Sequence, residues 1–200
     1  MRALPLARAL AQLGHACTIV IPPWDNPTDS GLSFVDTGVE VRHIDLPKWP
    51  SPLGHLEIAR RLIRAARGSE PAALHFFKPK GHCGLAAYWF WHRRRISGRA
   101  PVIALDVDDW EGPGGWNDIA GYPAWQRRLF AAQERWGLAH CDALTVASQA
   151  LETIAWSHGV PRWKVHRMPN GPGIAPLSPG ERARARATTR KRLRVGEAPL

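Results

Sequence analysis

Short apolar runs alternate with helix-period segments along most of this sequence, and that alternation limits the fold more than any other feature. Cys17 to Ile21, Val39 to Leu46, Ala73 to Phe77, Pro101 to Val107, Ala143 to Ala147 and Lys164 to Met168 read as buried-type strands. Between them the apolar residues fall three or four apart. Leu4 to Leu13 carries Leu6, Ala9, Leu10 and Leu13 on one side and stops at Gly14. His55 to Arg67 sets Leu56, Ala59, Leu62, Ile63 and Ala66 against Arg60, Arg61, Arg64 and Arg67, an amphipathic helix. Gly84 to Ile96 reads as a helix with Leu85 and Trp89 inward. In Tyr122 to Leu138 the stripe is Trp125, Leu129, Ala132 and Trp136, with Gln126, Arg127, Gln133 and Glu134 facing away. Gln149 to His158 follows Ser148, a good N-cap, and ends at Gly159. Trp24 to Thr37 is rich in Asp, Asn, Pro, Gly and Ser and reads as a loop, and Pro47 to Pro52 is a breaker cluster. Strand and helix alternate about six times, which calls for βαβ crossovers. The expected class is α/β, a doubly wound, mostly parallel sheet of about six strands. Such a sheet normally starts with a strand, and this sequence enters on a helix, so a first strand ahead of Leu4 is expected to be missing.

The stretch with the most chemistry is Leu105 to Asn117, LDVDDWEGPGGWN. It follows an apolar strand and gathers Asp106, Asp108, Asp109 and Glu111, with Trp110, Trp116 and three glycines, in one turn-prone segment. Ligands of open α/β sheets sit at the carboxyl ends of the strands, so this stretch reads as a cleft wall. The bland alternative is an acidic surface loop whose tryptophans plug the core. Carboxylates accept hydrogen bonds, Trp110 and Trp116 would line the rim of such a cleft, and Gly114 and Gly115 allow close backbone approach. Asp106-Val-Asp108 also spells Asp-x-Asp, a spacing that suits a divalent cation on a diphosphate. Two residues point the same way only while the strand stays extended, and the expectation is no metal. Lys78 and Lys80, in Lys-Pro-Lys-Gly after another strand, would meet a phosphate or simply stay solvated. Ser148 heads a helix whose N-terminus could hold an anion, or only caps it. Asn170 and Gly171 make a turn. His75 and His82 flank the basic loop as packed or solvated histidines.

Composition narrows the partners. The 200 residues carry a formal net charge of +10, which favours phosphate-bearing, nucleic-acid or acidic-membrane partners. Arg182, Arg184, Arg186, Arg190, Lys191, Arg192 and Arg194 crowd the final stretch. A nucleic-acid arm would read that way, but no aromatics interleave with it, so an exposed interdomain helix is preferred. Basic residues around Arg60 to Arg67 raise a peripheral contact with an anionic membrane. Cys17, Cys83 and Cys141 show neither a Cys-x-x-Cys pair nor zinc spacing, which points to free thiols in a reducing, cytoplasmic setting. Arg8 interrupts the first apolar stretch and no cleavage pattern follows it, so it is not read as a secretory signal. No apolar run reaches the roughly 18 residues of a membrane span.

Two runs resemble a known family. LARALAQLGHACTIVIP, Leu6 to Pro22, is similar to the first helix and second strand of the N-terminal domain of family 4 glycosyltransferases, which have the GT-B fold. CDALTVASQALETIAWSHGVPRWKVHRMPNGPG, Cys141 to Gly173, resembles the end of that domain, where a strand gives a Ser, a helix ends in Gly-Val-Pro and a strand ends in Pro-Asn-Gly. The resemblance implies a Rossmann-like acceptor-side domain over residues 1–176. It implies a basic linker over 177–200, leading into a nucleotide-sugar-binding domain that is not in this sequence. It also implies a retaining sugar transferase that needs no metal or other cofactor, moving a sugar from a nucleotide-sugar to a hydroxyl acceptor. The fragment alone would be inactive, at work in the cytoplasm or at the inner face of the membrane. Many relatives have a His-Asp pair where Asp108-Asp109-Trp110 stands here. A carboxylate cannot both donate and accept as a neutral imidazole does. Asp108 and Asp109 are therefore the candidate catalytic residues, and Trp110, Glu111, Gly114, Gly115, Trp116, Lys78, Lys80, Ser148, Asn170 and Gly171 the candidate binding residues. The reading from another class is a non-catalytic sugar- or nucleic-acid-binding module; a nucleotide-sugar epimerase of similar shape is a third.

Overall fold

The computed structural model describes residues 2–48, 53–97, 101–171 and 177–196. The breaker cluster beyond Lys48, the turn beyond Gly171 as far as residue 176 and the last four residues lie outside that set. Helix α1 (Ala3–Gln12) passes through Gly14, at φ 91°, into strand β1 (Cys17–Ile21). Strands β2 (Ser33–Asp36) and β3 (Val39–His43) form a hairpin. Its turn residues, Thr37 and Gly38, both have positive φ, 50° and 81°, which matches the twist of a tight antiparallel hairpin. Sequence reasoning takes Ser33–Asp36 as loop. The strand escapes it because Phe34 and Val35 are both exposed, so no alternation of buried and exposed residues marks it.

The remaining elements are α2 (Leu53–Gly68), β4 (Ala73–Phe77), α3 (Gly81–Ser97), β5 (Val102–Val107), α4 (Trp116–Ile119), α5 (Ala124–Ala139), β6 (Ala143–Val146), α6 (Gln149–Ser157), β7 (Val165–Arg167) and α7 (Pro179–Leu193). The class is α/β, and every strand pair except β2–β3 is parallel. The strands divide into two sheets, a small mixed one in the order β1-β3-β2 and a parallel one in the order β4-β5-β6-β7. Among the described residues no strand pair joins the two, and α2 links them by packing on both α3 and β1. The main core lies on the four-stranded sheet. Ile103, Leu105 and Val107 of β5 and Leu144 and Val146 of β6 are buried beneath Ala86, Ala87 and Phe90 of α3, Leu138 of α5, and Leu151 and Ala155 of α6. Consecutive burial from Leu105 to Val107 on β5 and from Leu144 to Val146 on β6 is what inner strands of a parallel sheet require. None of the described helices is long and apolar enough to cross a membrane. All three cysteines are free.

Helix α5 corrects the sequence reading. Trp125 is 64% exposed and Leu129 is exposed, while Phe130, Glu134, Gly137 and Leu138 form the buried face. The cause is Gly137. A Cβ there would come 2.8 Å from Leu105 Cδ1 and 3.0 Å from Pro79 Cβ. The helix can approach β5 so closely only along the glycine face, which carries Gln133 and Glu134 inward with it. The expected outward side of α5 thus faces the loops that follow β4 and β5. Separately, α7 is an arginine-rich helix of the compact unit Gly171–Leu200, begun by a capping box in which Ser178 and Glu181 bond each other's backbone N–H groups.

Burial at β6 sets the expected cost of a core truncation. Leu144→Ala, at a fully buried position, should lower stability by about 2–5 kcal/mol. Val35→Ala, on the exposed edge strand, should stay within about 0.5 kcal/mol. Urea unfolding followed by tryptophan fluorescence separates the two.

Candidate functional site

Parallel pairing of β4 with β5 puts Phe77 opposite Asp106, so the residues that follow each strand leave the same edge of the sheet. Lys78 turns at φ 61° and Gly81 at φ 57°. Lys78 N–H donates to the Asp106 carbonyl at 3.0 Å, and Lys80 N–H donates to the Lys78 carbonyl at 2.8 Å. This tight turn aims both ammonium groups at the acidic loop. Lys78 Nζ donates to Asp109 Oδ2 at 2.8 Å and lies 3.4 Å from Asp108 Oδ1 and 3.7 Å from Glu111 Oε1. Lys80 Nζ donates to Glu111 Oε2 at 2.7 Å and sits 5.3 Å from the centres of both the Tyr122 and Phe130 rings. Burial lowers the Lys78 pKa, but the Asp109 hydrogen bond and the charges of Asp108, Asp109 and Glu111 outweigh it, and the net shift is upward.

The acidic loop is closed on itself. Trp110 Nε1 donates to the Pro113 carbonyl at 3.0 Å, and Trp116 N–H donates to the Trp110 carbonyl at 2.7 Å. Gly112 and Gly115 are packed under Trp110: a Cβ at Gly115 would come 2.1 Å from the Trp110 carbonyl oxygen. Gly115 therefore serves the loop's own packing. Gly114, at φ 76°, has open space where a Cβ would stand, and its N–H donates to Asp118 Oδ2 at 2.7 Å. Glu111 is 1% exposed. Its N–H donates to Glu134 Oε2 at 2.9 Å, and its carbonyl accepts from Asn117 Nδ2. Gln133 makes the matching clamp on the basic turn, accepting from Gly81 N–H at 2.8 Å and donating to its carbonyl at 3.1 Å. An open hollow of about 320 Å³ lies between this loop and α5, lined among others by Glu111, Asn117, Asp118, Arg127 and Arg128.

Lys78, Lys80, Asp108, Asp109 and Glu111 are thus brought into one ion cluster, and Trp110, Gly114, Gly115 and Trp116 stand in the same loop. Asp109 is the more open carboxylate, with its side chain 52% exposed. Ser148 is exposed and caps α6, accepting from Leu151 N–H at 3.3 Å. Gly171 is exposed.

Asn170 joins a second cluster, one that sequence reasoning did not find. Buried Asp106 takes a two-pronged bond from Arg2, at 2.9 Å to Nε and 2.8 Å to Nη2. Arg2 Nη1 donates to the Met168 carbonyl and to Asn170 Oδ1, both at 2.7 Å. Thr145 Oγ1 donates to Asp106 Oδ1 at 2.5 Å, and His75 Nε2 lies 3.1 Å from that hydroxyl. Burial pushes His75 below the usual imidazole range. Asp106 and Asp108 therefore do not converge: one faces Arg2 and the other Lys78. Among the described residues no group of three or more His, Cys, Asp or Glu is placed to hold a metal ion. A third cluster was also missed. His55 Nδ1 and His82 Nε2 are 2.8 Å apart, and the Trp24 ring stacks on His82 at 5.3 Å. Burial and the neighbouring His55 bring His82 down to about 4. These partners are far apart in sequence, and no local spacing announces them. The basic face proposed for α2 is partly used up within the chain, since Arg60 and Arg61 pair with Glu57 and Arg67 lies over Trp89.

The chain belongs to the glycosyl transferase 4-like domain family, whose model matches residues 1–171. No curated protein matches the sequence. A similar solved structure is that of UDP-N-acetylglucosamine 2-epimerase from Rickettsia bellii, at 10% identity and a TM-score of 0.48. The match covers 82% of this chain and 40% of that one, so this chain spans less than half the length of that structure.

The two lysines should differ in weight. Lys80→Met removes the hydrogen-bonded cation of the buried Glu111 carboxylate, leaving only Lys78 at 3.7 Å, and should cost about 3 kcal/mol of stability. Lys78→Met loosens more exposed pairs and should cost below about 1 kcal/mol. Paired urea titrations check the ranking, and equal losses would contradict it.

Proposed function

We propose, starting from that family membership, that this chain is the acceptor-binding part of a retaining glycosyltransferase that moves a sugar from a nucleotide-sugar to a hydroxyl acceptor. The supporting observation is the acidic loop at the carboxyl edge of the parallel sheet, its carboxylates positioned by Lys78 and Lys80. Asp109 and Asp108 would accept hydrogen bonds from acceptor hydroxyls, and the one nearest the reacting hydroxyl would orient it for transfer. Half-exposed Trp116 offers a face to a sugar ring, and Gly114 leaves room for a ligand against the backbone. The reading assigns no metal or other cofactor, since Asp106 and Asp108 each face a cation of the chain itself. The nucleotide-sugar would be held by a second domain, and catalysis would need both.

The test is carried out on protein that includes a donor domain as well as this chain. Transfer and hydrolysis of UDP- and GDP-sugars are followed together with acceptor binding, for wild type, Asp108→Ala and Asp109→Ala. A lost hydrogen bond to a charged group is worth about 1.5–3 kcal/mol. Acceptor affinity or turnover should therefore fall on the order of tenfold or more, with melting temperature little changed. Unchanged turnover and acceptor affinity in both variants would remove the assignment. Salt-dependent RNA or DNA binding that disappears on deletion of 180–200, with no sugar bound, would favour the binding-module alternative instead.

A further inference from the structure

Helix α5 carries a carboxyl group whose protonation the site described above leaves unassigned. Glu134 is fully buried, yet it stands among groups that cannot all be charged. The acidic loop presents Glu111 to it, 1% exposed, and the turn after β4 contributes the Lys80 ammonium, already bonded to Glu111 at 2.7 Å. Lys78, the other cation in reach of Glu111, is 3.7 Å away and divided between Asp108 and Asp109. Two buried carboxyl groups therefore share one committed cation. An ionised Glu134 would add a second negative charge where water is excluded. Hydrogen-bond counting leads to the same place. Glu134 Oε2 accepts the Glu111 N–H, but Glu134 Oε1 and Asn117 Oδ1 are buried without a hydrogen-bond partner, and Glu111 Oε1 makes no hydrogen bond and has only the Lys78 ammonium, 3.7 Å away. Buried acceptor oxygens left without a donor are an arrangement native interiors avoid. A single proton on Glu134 Oε1 turns one of these acceptors into a donor.

We propose that Glu134 is a neutral carboxylic acid in the folded protein and a positioning residue for the acidic loop, accepting from the Glu111 N–H with one oxygen and donating its proton to the Glu111–Asn117 pair with the other. Asp109 lies two residues before Glu111 and Asp108 three, so the tether holds the segment that bears both. Its importance for transfer rests on the function proposed above; the proton and the tether do not. Burial is the largest influence on Glu134 and raises it, the Glu111 charge raises it further, and the backbone N–H groups of Glu111 and Gly112 and the Lys80 charge oppose, leaving it at about 8. The folded acid thus keeps its proton at pH values where the unfolded one, at the ordinary 4.5, has lost it. Stability from this group is complete below about pH 4.5 and is lost as pH rises to about 8.

Glutamine preserves both hands of a neutral acid, an oxygen that accepts and a nitrogen that donates, and removes the titration. Carbon-13 NMR of the side-chain carboxyl groups of the full chain, with Glu134 assigned by difference against Glu134→Gln, should show a protonated carboxyl at pH 7 that ionises near pH 8. Wild type should lose melting temperature relative to Glu134→Gln between pH 5 and pH 8. Glu134→Ala should be destabilised at every pH, with amide exchange at Glu111 raised at least tenfold over Glu134→Gln. An ionised Glu134 at pH 7 would overturn the proposal, and so would a Glu134→Gln protein as unstable as Glu134→Ala. In an active preparation, an alkaline limb of the acceptor-binding profile that is present in wild type and absent in Glu134→Gln ties the tether to function. If the NMR and stability results hold while no acceptor binds, the proton assignment stands and the function proposed above is what fails.

Discussion

The approach of α5 to the sheet at Gly137 is the contact on which the rest of the site depends. A side chain at that position would meet Leu105 and Pro79. The same economy of space recurs at Gly84 on α3, where a Cβ would come 2.7 Å from the Pro79 carbonyl oxygen and 2.9 Å from Gln133. Two glycines thus let two helices close on one proline. With the helices so close, Gln133 and Glu134 reach the two loops that leave neighbouring strands. The loops are held from behind by a rigid helix, so the groups at their tips need not be held by a ligand.

Charge is distributed in the opposite sense to the composition. The chain is strongly basic overall, yet its most organised charged region is built around carboxylates, with lysines as their counterions. Many of the cations outside α7 are paired within the chain: Arg2 with Asp106, Arg8 with Asp36, Arg94 with Asp142, and Arg60 and Arg61 with Glu57. Net charge therefore says little about what this edge of the sheet would attract. What matters is which oxygens stay open once the internal pairs are made, and Asp109 is foremost among them.

The sequence was readable where burial is periodic and unreadable where it is not. Strands β4 to β6 and helices α2, α3 and α6 are continuous or amphipathic apolar segments, and they lie within a few residues of their expected positions. The acidic loop could be placed at a strand end because a buried strand and a cluster of acids and glycines follow one another directly. Strand β2 could not be, since neither of its faces is covered. On α5 the apolar stripe through Trp125 and Leu129 was misleading. Tryptophan and leucine marked the outer side, and a glycine, which carries no hydrophobic signal, selected the inner one. Side chains joined across long stretches, such as Arg2 with Asp106 or His55 with His82, have no signature in one sequence, because their pairing is a product of topology.

The Arg2 cluster also orders events in time. No residue of α1 is fully buried, so the helix has little apolar surface with which to choose its place early. Its anchors are charged, through Arg2 to Asp106 and Asn170, the latter 168 residues away, and through Arg8 to Asp36. Contacts of that separation form only after the intervening chain has collapsed. The local packing of α1 on β1 and β3 needs no such closure, so the long-range bonds of Arg2 are what add the distant constraint. One guanidinium thus ties the residue ahead of α1 both to the buried acid of β5 and to the chain just past β7, so the two ends of the unit are pinned to its centre by a single side chain.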